Sequence, residues 1–196
     1  MARDRQRFSA EVGDVHRFGE HGAPGAPSGP SAPGGRCAKM SVMTDKQIEV
    51  TTEISADADT LYDMVSDLAN MGKWSPEATG GRWLGGGGPA VGAKFLGRNR
   101  SGWRRWVTVA KVTEAERGKR FAFSVTSGPL KVADWAYEFV ASGGSTKVTE
   151  TWVDQRSPFM HRLSDMLIGV PDRSDHNRKN MEATLEALKR SAEAAG

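Results

Sequence analysis

The chain has 196 residues, a formal net charge of +3 and one cysteine, Cys37. That length fits one domain with an appendage, and a lone cysteine excludes an internal disulfide and the paired-cysteine zinc sites. No run approaches the roughly 18 apolar residues of a membrane helix, and no apolar stretch follows the early arginines as a secretory signal requires. A reducing, cytoplasmic location is therefore expected.

The charge is unevenly placed. Residues 1–40 hold six basic side chains and four acidic ones; subtracting them from the totals of 27 and 24 leaves 21 and 20. A body this close to neutral lacks the strong basic bias of a duplex-binding protein, so no DNA partner is expected. From Gly22 to Gly35 every residue is Gly, Pro, Ala or Ser, a composition with nothing to bury against its ordering entropy. Residues 1–45 are expected to be a disordered tail, and 46–196 the folded domain. Met40 and Met43 stand just before the first ordered pattern, so a translation start at one of them is a second reading of the tail.

In Gln47–Ser55, Ile48, Val50, Thr52 and Ile54 alternate with polar or small residues, which predicts a strand with one buried face. Ser55 fits a helix N-cap, with Asp57 and Asp59 in the first turn. Leu61, Met64, Val65 and Leu68 then recur at helical spacing. A second short turn, Leu68–Trp74, ends at Ser75–Pro76, because a residue before proline avoids the helical region.

Six strands follow. The first contains Trp83 and precedes the Gly85–Gly88 loop. The others are Ala93–Arg100, Arg104–Thr113, Arg120–Thr126, Lys131–Ala141 and Thr146–Asp154. All are rich in β-branched or aromatic residues and are joined by turn residues, the pattern of an antiparallel meander. Ser157–Pro158 opens a helical segment with Phe159, Leu163, Met166 and Leu167, interrupted at Gly169–Pro171. From Ser174 a long amphipathic helix with Met181, Leu185 and Leu188 runs to Ala194 and needs an apolar surface to cover. The order implies an α+β helix-grip fold: a curved antiparallel sheet around a C-terminal helix, with two short helices after the first strand.

Several stretches together resemble the START-like, Bet v 1-like superfamily, in the branch called polyketide cyclase/dehydrase and lipid transport. They are Ile48–Ala58, Asp67–Glu77 with its Trp-Ser-Pro-Glu, Val91–Phe95, Trp135–Glu138, Thr146–Trp152 and Met181–Leu188, covering roughly residues 46–192. The resemblance implies the helix-grip fold and a cavity between sheet and helix. It does not imply one activity, because the superfamily mixes cyclases, hydrolases, lipid carriers and proteins of no known role.

Period-2 alternation assigns the concave face. It gives Phe95, Gly97 and Asn99; Trp106, Thr108 and Val112; Phe121, Phe123 and Val125; Ala133, Trp135, Tyr137 and Phe139; and Val148, Glu150 and Trp152. An aromatic wall with few polar groups suits a ligand cavity and equally a packed core. The candidate ligand-binding residues are Phe95, Asn99, Trp106, Phe121, Phe123, Trp135, Tyr137, Glu150 and Trp152.

Asn99 and Glu150 are polar on an apolar face, and a buried carboxylate needs a partner or a raised pKa. Glu150 is thus a candidate general base or ligand anchor, with Asn99 orienting the same group; otherwise it pairs with an arginine such as Arg98 or Arg105. The Tyr137 hydroxyl is a candidate donor to a ligand carbonyl. His161 and His176 lie in the C-terminal helical region, and His176 is a second catalytic candidate. There is no HExxH, no His/Asp cluster, no nucleophile elbow and no phosphate loop, so neither a metal nor a cofactor is expected.

The segment Arg98–Trp106 interleaves cations with aromatics. It suits single-stranded nucleic acid, or a hairpin with a solvated outer face, or contact with an anionic headgroup or membrane surface. The sequence as a whole points to a binding module for an apolar or aromatic small molecule, lipid or polyketide-like, without stable membrane insertion. The alternatives are a cyclase/dehydratase using the same cavity and a protein-interaction or toxin–antitoxin component.

Overall fold

Strand β1 (Gln47–Ile54) buries Ile48 and Ile54 at its two ends, as the alternation requires. The computed structural model describes residues 46–158 and 173–194; the expected tail at 1–45 and the segment holding Phe159, His161, Leu163, Met166 and Leu167 lie outside the described residues. Helix α1 (Ala58–Ser66) follows β1 and buries Leu61, Tyr62 and Val65 on one face. Its N-cap is Asp57 rather than Ser55: the Asp57 carboxylate accepts from the Thr60 N–H at 2.8 Å and from the Thr60 hydroxyl at 2.6 Å. The extended backbone at Asp57 aims its oxygen at the third amide of the helix, the usual capping geometry. The Ser55 N–H donates instead to Glu193 at the far end of the chain, 3.0 Å away. A 3₁₀ turn at Met71–Lys73 is the second short helix.

Six further strands complete the sheet: β2 (Ala78–Leu84), β3 (Lys94–Ser101), β4 (Arg104–Glu116), β5 (Arg120–Ser127), β6 (Leu130–Ser142) and β7 (Ser145–Asp154). All neighbours are antiparallel, in the order β1-β7-β6-β5-β4-β3-β2. β1 therefore crosses to pair with the last strand, Val50 opposite Glu150, while β2 to β7 form a meander. Register irregularities fall between Ala78 and Gly81, Val112 and Glu114, and Val125 and Thr126. Such bulges bend and twist a sheet locally. At Gly81 the approach is close: an added Cβ would lie 2.2 Å from the Leu96 carbonyl oxygen and 2.5 Å from the Phe95 ring.

Helix α2 (Arg173–Glu193) turns Asn177, Met181, Thr184, Leu185, Leu188 and Ala192 inward. Leu185, Leu188 and Ala192 join Ile54, Leu61, Val65, Phe121 and Val148 in the main core, whereas Met181 packs with Ile48, Ala133 and Trp152. The fold is thus the expected helix grip. The β1–α1 corner is fixed by Thr146, fully buried, whose hydroxyl donates to the Ala56 carbonyl at 2.8 Å. Thr146→Val keeps the shape and leaves that carbonyl without its donor, so chemical denaturation should show a loss of about 1 kcal/mol.

Candidate functional site

The sheet curves away from α2 along part of its concave face and leaves a cavity of about 520 Å³. Cross-strand rows build its wall: Phe95 opposite Ala110, Asn99 opposite Trp106, Phe123 opposite Trp135, and Trp135 opposite Trp152. The N-terminal half of α2 adds Asn177, Asn180, Met181 and Thr184. Among the lining residues, Arg98, Arg105 and Leu130 are exposed, so the hairpin ends of β3–β4 and β5–β6 mark an open side.

Eight of the nine candidate binding residues stand on this wall: Phe95, Asn99, Trp106, Phe123, Trp135, Tyr137, Glu150 and Trp152. Phe121 does not. It shares the concave face, but α1 covers it: its ring meets Tyr62 edge-on at 5.8 Å and Phe123 at 5.8 Å, and it is fully buried. Phe121 is core.

The chemistry concentrates on Glu150, which is 2% exposed. Register places Tyr137 directly opposite it, and the Tyr137 hydroxyl donates to Oε1 at 2.6 Å. Among the described residues no arginine pairs with it, and Oε2 has no hydrogen-bond partner. Burial raises the carboxyl from 4.5 to about 8, against the smaller downward pull of the tyrosine hydrogen bond. Burial also holds the Tyr137 phenol well above its ordinary value, with the neighbouring carboxyl acting in the same direction. At neutral pH Glu150 is therefore mainly a neutral acid: Oε1 accepts from tyrosine and Oε2 carries the proton. The Tyr137 hydroxyl is thereby committed to the carboxyl and not offered to a ligand carbonyl.

Asn99 lines the same cavity as Glu150 but makes no bond to it. Three strands separate β3 from β7 in the sheet, and the Asn99 amide donates to the Thr108 hydroxyl at 3.1 Å. His176 is not among the lining residues. Its Nε2 lies 2.8 Å from a Glu77 oxygen, and Arg173 donates to both oxygens of the same carboxylate at 3.3 and 2.9 Å. The three form a clamp between the start of α2 and the approach to β2, so His176 sits in a structural cross-link. Arg156, also on the wall, is buried against the Asp154 carboxylate at 2.6 Å.

Sequence reasoning missed Glu77, Arg156, Asn177, Asn180 and Thr184. Asn177 and Thr184 are discoverable by extending the Met181–Leu185–Leu188 stripe backward and sideways in steps of three and four. The ion pair of Arg156 is local, with Asp154 two residues before it, whereas that of Glu77 joins it to Arg173 and His176 and carries no local signature.

A curved antiparallel sheet gripping a C-terminal helix, with an aromatic cavity between them, defines a helix-grip protein of the START-like, Bet v 1-like class. The chain belongs to the family described as polyketide cyclase/dehydrase and lipid transport, whose profile matches residues 45–193. Among solved structures it is similar to the Polyketide_cyc-like protein Cgl2372 of Corynebacterium glutamicum, 30% identical over 76% of this chain and 92% of that one, with a TM-score of 0.51. The fold is shared with major latex-like protein 151 of Panax ginseng (11% identity, 74% and 96% covered, TM-score 0.58). It is shared too with TTHA0849 of Thermus thermophilus (18% identity, 76% and 99% covered, TM-score 0.56). No functionally curated protein matches the chain. Among the described residues no helix is long and apolar enough to cross a membrane.

Proposed function

We propose that this protein binds an apolar or aromatic small molecule carrying at least one hydrogen-bond-accepting oxygen, lipid or polyketide-like in character. The supporting observation is Glu150: a buried carboxyl with one oxygen fixed by Tyr137 and the other without a partner among the described residues, on the wall of an aromatic cavity. A buried polar atom without a partner is costly, and a ligand oxygen accepting from Oε2 removes that cost. Apolar burial supplies most of the affinity; the carboxyl fixes orientation and rejects pure hydrocarbons.

Native mass spectrometry of protein purified without detergent tests this directly. The expected adduct is apolar and contains an oxygen acceptor. Its affinity should fall as pH rises past about 8, where Glu150 ionises and stops donating, and Glu150→Gln, whose amide still donates, should bind independently of pH. A clean unliganded mass from the native host, with no uptake of aromatic ketones or fatty acyl compounds, defeats the proposal.

The raised carboxyl favours one second reading. A group titrating near neutrality is matched to general acid–base work, so the same cavity suits a cyclase/dehydratase in which Glu150 moves a proton. In that reading Glu150→Gln keeps binding and loses turnover; in the carrier reading there is no turnover to lose.

A further inference from the structure

The net charge of the folded body conceals a strong local separation. Residues 94–113, which span β3 and most of β4, contain six basic side chains and no acidic one. The 21 basic and 20 acidic groups of residues 41–196 therefore leave 15 and 20 outside this hairpin. The backbone sorts most of the six to one side. Phe95, Gly97 and Asn99 line the cavity, so alternation puts Lys94, Arg98 and Arg100 on the opposite side of β3; Trp106 and Thr108 line it too, so Arg105 and Lys111 take the opposite side of β4, with Arg98 and Arg105 also reaching the cavity's open rim. Register then sets Lys94 directly opposite Lys111 and Arg100 directly opposite Arg105. Like charges facing each other across a strand pair destabilise a sheet. Among the described residues none of these four has an ion-pair partner that would relieve the repulsion.

Two like-charged cross-strand pairs on one face, without internal counter-charges, are what a surface awaiting an external polyanion looks like. The apolar groups on the same hairpin indicate which polyanion. Trp103 is at its tip, 83% exposed, with the Arg104 guanidinium 4.7 Å above its ring. Val107, opposite Arg98 on the outer face, is 51% exposed. A nucleic-acid strand needs a succession of exposed stacking rings, but Phe95 and Trp106 of this hairpin line the cavity instead. An exposed tryptophan at a tip, flanked by arginines, suits the headgroup region of a bilayer.

We propose that the outer face and tip of the β3–β4 hairpin dock the protein, peripherally and reversibly, on an anionic lipid bilayer. The hairpin also carries Arg98 and Arg105 at the open side of the cavity, so docking would bring that opening to the lipid surface. The inference stands on the charge arrangement and does not depend on what the cavity holds.

The test is co-sedimentation of the full chain with vesicles of phosphatidylcholine alone and of phosphatidylcholine mixed with phosphatidylserine, at low and high salt. Binding is expected only to the mixed vesicles and is expected to be lost at high salt. A basic residue near an anionic surface contributes about fivefold in affinity, so Arg100→Gln with Arg105→Gln should weaken binding about thirtyfold. The same double variant removes a like-charged pair, so its melting temperature should be unchanged or higher, which separates lost docking from lost folding. Trp103→Ser should weaken binding while leaving its salt dependence intact. Equal binding to neutral vesicles, native binding by the double variant, or binding to a single-stranded oligonucleotide in preference to the mixed vesicles overturns the proposal.

Discussion

Between about pH 4.5 and pH 8 the Glu150→Gln variant should gain stability steadily relative to the native chain, and above about 8 the gap should stay constant. The sign follows from the raised carboxyl. In that window the folded protein keeps a proton that the unfolded chain has released, so the native state binds more protons and its stability falls as pH rises. The contribution of Glu150 is therefore fully present below about 4.5 and lost by the time pH passes about 8. The total is on the order of a few kcal/mol for a fully buried group shifted this far. Glutamine takes no part in this titration, and its carbonyl still accepts from Tyr137. Other carboxyls do not mimic the effect. Asp63, held down by Arg117, and Glu193, held down by the Ser55 amide, contribute stability that is complete at higher pH and lost only as pH falls through their lowered values. Urea denaturation of both proteins across the range gives the difference curve; parallel curves would mean that Glu150 is solvated or paired, and the site would lose its central feature.

The concave face is legible in the sequence because a strand's side chains alternate with period two as long as no bulge intervenes. From Phe95 to Asn99, Ala133 to Phe139 and Val148 to Trp152 that condition holds. For β4 the alternation predicts an end at Thr113, whereas the strand runs to Glu116, past the irregularity between Val112 and Glu114. Alternation also says which face a residue is on, not what covers it. Phe121 and Phe123 share a face, yet α1 lies over the first and the cavity over the second. The Glu150–Tyr137 pairing is within reach of the sequence: a two-residue turn at Gly143–Gly144 sets Ser142 opposite Ser145, and counting outward from there brings Tyr137 opposite Glu150. What the sequence does not give is the burial that leaves the carboxyl with tyrosine as its partner. The Glu77–Arg173–His176 clamp joins groups almost a hundred positions apart, and no local pattern encodes it.

Phe121→Ala should cost about 3–5 kcal/mol, and Trp135→Ala about half of that or less, although tryptophan is the larger side chain. The ordering comes from what each ring touches. Phe121 is enclosed by Tyr62, Phe123 and the aliphatic core, so its removal opens a void that rigid neighbours cannot fill. Trp135 is only half-buried and presents part of its surface to a cavity that already exists, so it has fewer contacts to lose and its removal mainly enlarges that space. The two substitutions should also separate in binding. Trp135→Ala should accept bulkier adducts in native mass spectra, whereas Phe121→Ala should leave the size of the bound molecule unchanged. Equal losses of stability would mean that the sheet closes onto α2 in solution and that Trp135 is packed as core. A small loss at Trp135 with a shift in adduct size would place that ring on a wall the ligand touches.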